Sequence, residues 1–148
     1  MEVQKDFEEF LALLRDNEVK FIIVGGYALA FHGAPRYTGD IDVFVKPDPS
    51  NAKRILKALA DFGFSSLDIT VDDFKDPNKV IQLGLPPIRI DIITSISGVT
   101  WEEADETKAP GLFGDVSVSY LGKEQFIINK RATGRMKDLA DLELLGEE

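Results

Sequence analysis

The chain of 148 residues contains no cysteine and only one histidine. Without cysteine, it can form neither disulfide bonds nor thiolate metal sites, and we expect a cytoplasmic location. No apolar run approaches the roughly 20 residues that a membrane-spanning helix needs. The first ten residues also lack the basic and apolar regions of a signal peptide. The sequence therefore predicts no membrane partner.

Positive charge is scarce as well, with 17 basic against 26 acidic residues and a net charge of -9. An acidic chain is a poor general binder of nucleic acid, because such binding depends on neutralising phosphates. Residues 123–137 are the exception, with one acid, Glu124, and five bases: Lys123, Lys130, Arg131, Arg135 and Lys137. This basic segment is suited to contact phosphate groups.

The remaining composition, with 44% hydrophobic and 29% charged residues, is typical of a globular protein. The length predicts one domain spanning residues 1–148, with C-terminal helices at about 122–145. An amphipathic helix is predicted over residues 3–17, and further helices alternate with short strands, some of them adjacent. This order predicts an α/β (α+β) fold in which helices flank a mixed central sheet.

Several element ends carry local signals. Ser50 or Asn51 is expected to cap a helix that ends near Gly63, and Thr100 with Glu103 forms a capping-box pattern. Strands are predicted at 21–24, 41–45, 80–85, 88–93 and, as the last strand, 116–121, with a weak strand at 65–71. The prolines at 86–87 suggest a hairpin or a bent connection, and residues 72–78 are predicted to be a turn-rich connection in which Pro77 prevents a long helix.

The most informative stretch is residues 21–45. A buried strand ends at Gly25-Gly26, a short helix follows at about 27–31, and a second strand carries Asp40 and Asp42. Strand periodicity places these two acids on one face with Cα atoms about 6.6 Å apart, where they could bind one or two hard cations. The alternative is a solvent-facing pair on an edge strand, although the large apolar neighbours favour a central one.

A third acid, Asp91, interrupts the otherwise apolar strand at 88–93 and shares its face with Arg89. If this strand lies beside the one carrying Asp40 and Asp42, three carboxylates converge. The alternative is a simple surface pair between Arg89 and Asp91. Gly25 and Gly26, which lack Cβ atoms, could let backbone N–H groups face phosphate oxygens.

Taken together, these residues resemble the DNA polymerase beta-type nucleotidyltransferase superfamily. Its pattern is hG[GS], a spacer, Dh[DE]h and a third carboxylate on a neighbouring strand. Here Asp-Ile-Asp begins 14 residues after Gly26. The spacer HGAPRYTGDID and the tail NKRATGRMKDLADLE are most similar to minimal, AbiEii-like bacterial nucleotidyltransferases, some of which are toxins of toxin–antitoxin systems.

The resemblance implies the nucleotidyltransferase fold and a role for each matching residue. It implies that Asp40, Asp42 and Asp91 are catalytic and bind Mg²⁺, with two ions expected. It implies that Gly25 and Gly26 hold the triphosphate and that Lys130 and Lys137 reach phosphates, with a solvated helix face as the alternative for the two lysines. Arg36 and Thr38, just before the acids, are further candidates for nucleotide binding: they could contact the γ-phosphate or brace the Gly-Gly turn, and Arg36 could instead pair with an acid. Larger relatives carry a helical domain that selects the acceptor, and this short chain has at most a minimal counterpart.

The predicted function is therefore two-metal transfer of a nucleoside monophosphate from a nucleoside triphosphate to an acceptor hydroxyl. The acceptor could be tRNA, a protein or a small molecule, and a toxin role would add an antitoxin or other partner protein. The alternative is a non-catalytic binding module that retains the fold and acts through protein contact. A hydrolase using the same site is a third possibility. His32, Tyr27 and Trp101 are expected to serve the fold, not the reaction.

Overall fold

The computed structural model describes residues 5–34, 39–64, 68–85 and 88–147. The helices within these residues are α1 (Lys5–Asp16), α2 (Gly25–Phe31), α3 (Pro49–Phe62), α4 (Asp72–Lys75), α5 (Trp101–Thr107), α6 (Lys123–Thr133) and α7 (Met136–Leu144). The strands are β1 (Phe21–Val24), β2 (Asp40–Val45), β3 (Val80–Leu85), β4 (Ile88–Ile93), β5 (Ala109–Phe113) and β6 (Val116–Tyr120).

The strands form one six-stranded sheet in the order β3-β4-β2-β1-β6-β5. The pairs β2–β4 and β1–β6 are parallel, and the other neighbouring pairs are antiparallel. The predicted α/β class with a mixed central sheet is thus confirmed. β2 occupies an interior position, so the edge-strand alternative for its two acids is excluded.

The alternation of β2 buries residues on both faces of the sheet. Ile41, Val43 and Val45 are almost completely buried on one face. On the face that carries the acids, Phe44 is also buried and packs edge-to-face against Trp101 of α5, with ring centroids 5.1 Å apart. The acids of β2 therefore lie at the end of a strand that is otherwise embedded in the core.

The cap of α3 differs from the prediction. Asp48, not Ser50 or Asn51, is the N-cap, and its side chain accepts a hydrogen bond of 2.6 Å from the backbone N–H of Asn51. Pro49 then occupies the first turn, a position where a missing N–H costs nothing. The predicted end at Gly63, in the left-handed conformation, and the capping box of Thr100 and Glu103 are confirmed.

Three other segments add to the predictions or correct them. β5 was not predicted, since its Pro110 and Gly111 disfavour strands, but an edge strand tolerates them and a turn at Gly114 pairs it with β6. The turn-rich segment at 72–78 contains the one-turn helix α4, which agrees with the prediction that it forms no long helix. The prediction of a weak strand at 65–71 is wrong for residues 68–70, which form no strand. Residues 65–67 lie outside the described residues. In the described part of the chain, no helix is both long enough and apolar enough to span a membrane.

Candidate active site

The parallel pairing of β2 and β4 brings the acidic residues together. Asp42 lies opposite Asp91, and Asp40 lies opposite Arg89. On the other side of β2, Val24 at the end of β1 is the ladder partner of Asp42. The three acids and Arg89 therefore occupy one face of adjacent strands, next to the point where β1 passes into α2.

Arg89 connects two of the carboxylates. Its Nη2 donates to Oδ2 of Asp40 at 2.7 Å, and its Nε donates to Oδ1 of Asp91 at 3.1 Å. The Arg89–Asp91 pair that the sequence suggested is present, but it is part of the acidic cluster and not an alternative to it. Asp91 is only 8% exposed, and a buried polar group needs hydrogen-bond partners such as these.

Asp42 carries no such guanidinium contact in the hydrogen bonds described, and its environment disfavours the charged form. Burial raises its pKa from 3.8 to about 6, and the neighbouring Asp91 adds to the rise through its charge and a side-chain hydrogen bond. The charge of Asp40 acts in the same direction, whereas that of Lys137 opposes it. Asp42 and Asp91 thus form a close carboxyl pair that a cation would stabilise.

The glycine pair faces this carboxyl pair. Gly25 begins α2 with a φ of +70°, and a Cβ atom built on it would collide with Oδ2 of Asp42. Gly26 is buried in the first turn of the same helix. The helix therefore begins at the glycines, about two residues earlier than the sequence indicated, and the main chain there lies directly against the acid.

The two C-terminal bases proposed for the site differ in their surroundings. Lys137 on α7 is exposed, and its charge acts on Asp42. Lys130 on α6 is only 7% exposed, and its Nζ contacts Asp138 at 3.2 Å and Asp141 at 3.3 Å. Of the two, only Lys137 is exposed to solvent.

Asp138 is fully buried and holds α6 and α7 together. Burial by itself would raise its pKa, but hydrogen bonds from Arg135, Thr133 and Lys130 hold that pKa well below its ordinary value. The hydroxyl of Thr133 donates at 2.6 Å and Nε of Arg135 at 2.8 Å. The sequence does not predict the burial of Asp138 and Asp141, since helical spacing alone does not show which acids become buried.

The remaining candidate residues either make contacts that stabilise the fold or lie outside the described residues. His32 Nε2 lies 2.6 Å from the carbonyl oxygen of Leu121, a contact that joins α2 to the end of β6. Tyr27 packs edge-to-face against Phe7 and Phe113. Both roles agree with the prediction that these side chains serve the fold. Arg36 and Thr38 lie outside the described residues.

The donor set suits a hard divalent cation, because three carboxylates face one space and Asp42 and Asp91 are close enough to share a hydrogen bond. Among the described residues, no group of three His, Cys, Asp or Glu side chains is already arranged as a metal cluster. The guanidinium of Arg89 contacts the oxygens of Asp40 and Asp91 that a cation would use.

The fold belongs to the nucleotidyltransferase class, as solved structures show. The chain superimposes on TM1012 of Thermotoga maritima, described as a nucleotidyltransferase, with a TM-score of 0.62 and 18% identity over 93% of this chain and 88% of that one. For the antibiotic-resistance factor ANT(2'')-Ia, the TM-score is 0.61 with 13% identity over 95% and 80% of the two chains. For the lincosamide antibiotic adenylyltransferase LnuA, bound to lincomycin, it is 0.57 with 13% identity over 99% and 98%.

The family follows from the sequence itself. Residues 10–147 match the model of the nucleotidyl transferase AbiEii toxin of type IV toxin–antitoxin systems, so the chain belongs to the AbiEii family. The match covers the glycine pair, the three acids and both C-terminal helices. No curated protein matches the sequence. The predicted resemblance to AbiEii-like nucleotidyltransferases is thereby confirmed.

Proposed function

We propose that this protein transfers a nucleoside monophosphate from a nucleoside triphosphate to an acceptor hydroxyl and releases pyrophosphate. The observation that carries the proposal is the pairing of Asp42 with Asp91 across adjacent parallel strands, directly beside Gly25. A carboxyl group such as Asp42, whose pKa is raised by burial and by a neighbouring acid, is unfavourable for the fold alone, and such groups are concentrated at functional sites.

Asp40, Asp42 and Asp91 would hold Mg²⁺, and we expect two ions because the triphosphate and the reacting oxygens both need positive charge. Oxygen donors alone make the site suited to Mg²⁺. When bound, Mg²⁺ neutralises phosphate charge and orients the attacking and leaving oxygens.

The residues of the chain have distinct tasks in this reaction. Asp91 accepts the proton of the acceptor hydroxyl, whose oxygen bonds to the α-phosphorus as the bond to pyrophosphate breaks. Gly25 and Gly26 would hold the triphosphate through the backbone N–H groups at the start of α2. Lys137 supplies a positive charge beside Asp42.

Three further phosphate contacts are part of the proposal. Arg36 and Thr38 precede Asp40 by only a few residues, so they are placed in the sequence to reach the γ-phosphate. Lys130 would have to give up contacts with Asp138 or Asp141 to bind phosphate directly. Lys137 is therefore the stronger of the two C-terminal candidates.

We favour tRNA as the acceptor. Exposed bases of the C-terminal segment would neutralise an RNA backbone, namely Lys123 and Arg131 on α6, Arg135 at the N-cap of α7 and Lys137 on α7. The structural neighbours LnuA, an adenylyltransferase bound to lincomycin, and ANT(2'')-Ia, an antibiotic-resistance factor, make a small-molecule acceptor the second candidate. A protein hydroxyl is the third.

The family match supports a toxin role, in which transfer to an essential acceptor in the cytoplasm arrests growth and a cognate antitoxin counteracts it. The rival function is a module that binds a partner without catalysis. The two differ in a simple respect, because only the catalytic protein needs Asp42 and a divalent cation to act.

The test supplies each of the four α-labelled nucleoside triphosphates with purified tRNA, with total protein or with a small-molecule extract. We expect label in tRNA with Mg²⁺ and none after addition of EDTA. Asp42→Asn should abolish transfer, whereas Arg15→Gln, which breaks an exposed ion pair with Asp16, should leave it intact.

Other results would change the conclusion. Label in protein or in a small molecule would show that this molecule, and not tRNA, is the acceptor. Release of pyrophosphate with no labelled acceptor would indicate hydrolysis. Growth arrest that persists in the Asp42→Asn variant, with no label anywhere, would favour the non-catalytic rival.

A further inference from the structure

Arg89 places a positive charge on the acidic site. Its Nη2 donates to Oδ2 of Asp40 at 2.7 Å and to Oδ2 of Asp91 at 3.3 Å, while its Nε donates to Oδ1 of Asp91 at 3.1 Å. The guanidinium thus engages both oxygens of Asp91 and one oxygen of Asp40. These two carboxylates are among the proposed metal ligands.

The strand register builds this contact into the sheet. Arg89 lies directly opposite Asp40 in the parallel ladder, and Asp91 follows two residues later on the same face of β4. The planar fork of an arginine matches carboxylate oxygens well, and its charge persists at every physiological pH. The half-buried position, with 29% of the Arg89 side chain exposed, leaves a route by which the group can swing toward solvent.

A guanidinium and a divalent cation cannot both bind these carboxylate oxygens without weakening one another's interaction. They repel one another, and each draws on the negative charge of Asp40 and Asp91. Without any cation, the three carboxylates would repel one another in a poorly solvated place. Arg89 offsets that repulsion in the metal-free chain, and a bound metal would offset it instead.

We propose that Arg89 is an internal counter-ion that occupies Asp40 and Asp91 and competes with the divalent cation, so that it lowers the affinity of the site for metal. This inference rests on the proposed metal site and adds a residue that sets its affinity. A different role for the same contacts predicts the opposite sign. If Arg89 only orients Asp91 as a metal ligand, its loss should weaken metal binding, by about 10- to 100-fold for such supporting groups.

The experiment measures Mn²⁺ binding to the full chain without nucleotide, from the electron paramagnetic resonance signal of unbound Mn²⁺. Arg89→Gln removes the charge and should bind Mn²⁺ at least several-fold more tightly than the wild type. Arg89→Lys keeps the charge and should stay closer to the wild type. Thermal unfolding supplies a second readout, since Mn²⁺ should raise the melting temperature of Arg89→Gln more than that of the wild type.

Two controls define the site. Arg15→Gln, at an exposed pair with Asp16, should leave Mn²⁺ affinity unchanged, and Asp42→Asn should remove binding in both the wild-type and the Arg89→Gln background. If Arg89→Gln does not fold without metal, recovery of its structure on refolding in Mn²⁺ supports competition, and failure to recover overturns it.

The outcomes separate this inference from the proposed function. If the wild type binds Mn²⁺ and Arg89→Gln binds it equally or less tightly, Arg89 is not a competitor, and the metal site stands. If neither protein binds Mn²⁺, both the metal site and the competition are wrong.

Discussion

The main chain of Gly25 lies so close to the carboxylate of Asp42 that no side chain fits between them. A Cβ atom on Gly25 would collide with Oδ2 and would lie 3.0 Å from Cγ of Asp42. The residue also has a φ of +70°, which L-amino acids with side chains rarely adopt. The glycine and the acid therefore specify one another's positions, and they do so at the centre of the candidate active site.

Substitution of Gly25 by alanine should impair both the fold and the site. The positive φ costs about 1–2 kcal/mol for a non-glycine residue, and the forced displacement of Asp42 should add about 1–3 kcal/mol. We expect the free energy of unfolding to fall by about 3 kcal/mol, measured by urea denaturation. Transfer activity should be lost even under conditions in which the variant is folded.

Gly63 offers a matched control for this substitution. It also has a positive φ, +108°, but a Cβ atom there would meet nothing within 4 Å. Gly63→Ala should therefore show the backbone cost alone and keep its activity. Equal destabilisation of the two variants would show that the collision with Asp42 does not matter.

The raised pKa of Asp42 predicts the direction in which the stability of the protein changes with pH. Since the folded pKa of about 6 exceeds the ordinary value of 3.8, the folded chain binds more protons than the unfolded chain between these limits. The contribution of Asp42 to stability therefore falls as the pH rises from about 4 to about 6. The shift corresponds to on the order of 2–3 kcal/mol across that window.

The measurement compares wild type and Asp42→Asn by chemical denaturation from pH 4 to pH 7 without divalent metal. The difference isolates this carboxyl pair from Asp138, whose lowered pKa acts in the opposite direction and costs stability as the pH falls. We expect the variant to gain stability relative to the wild type as the pH rises. A difference that is independent of pH would rule out the raised pKa.

The buried ion pair between α6 and α7 should be essential for their packing. Asp138→Ala would remove one of the two acids that contact buried Lys130 among the described residues, and removal of one partner of a buried pair costs about 3–5 kcal/mol. Thermal unfolding should show the loss directly. Asp61→Ala, at an exposed pair with Lys57, is the control and should change little.

Lys137 should contribute to nucleotide affinity without contributing much to stability. It is exposed on α7, and its charge acts on Asp42. Lys137→Gln should weaken triphosphate binding by about tenfold, as expected for the loss of one charged contact. Lys123→Gln, at an exposed residue at the start of α6, is the comparison; equal effects of the two substitutions would indicate only a general attraction to basic residues.

Much of the fold could be predicted because its signals are local. The alternation of residues in β2 and β4, the capping box at Thr100 and the left-handed end at Gly63 all depend on near neighbours in the chain. The sequence does not predict β5, because Pro110 and Gly111 have low strand propensity and the strand is stabilised by its pairing with β6. The N-cap of α3 is Asp48, two residues before the first predicted candidate, Ser50. The prolines on either side of Asp48 indicated the end of a strand and gave no sign of a helix cap.

The candidate site likewise has features that the sequence predicts and features that only the fold determines. Asp40 and Asp42 share a face because strand period requires it, and the glycines mark the turn of the chain beside them. The contact of Arg89 with Asp40 and the burial of Lys130 could not be predicted, because they depend on which strands and helices become neighbours.

The sequence by itself thus determined the chemistry available to this protein: three acids on apolar strands, a glycine pair and a basic C-terminal segment. Only the tertiary structure decided how these groups are used. It placed Asp91 opposite Asp42, set Arg89 between Asp40 and Asp91, and buried Lys130 while Lys137 stayed exposed. The physical reason is that residue type fixes charge and donor capacity, whereas burial and distance, which determine pKa and pairing, arise only when distant segments pack together.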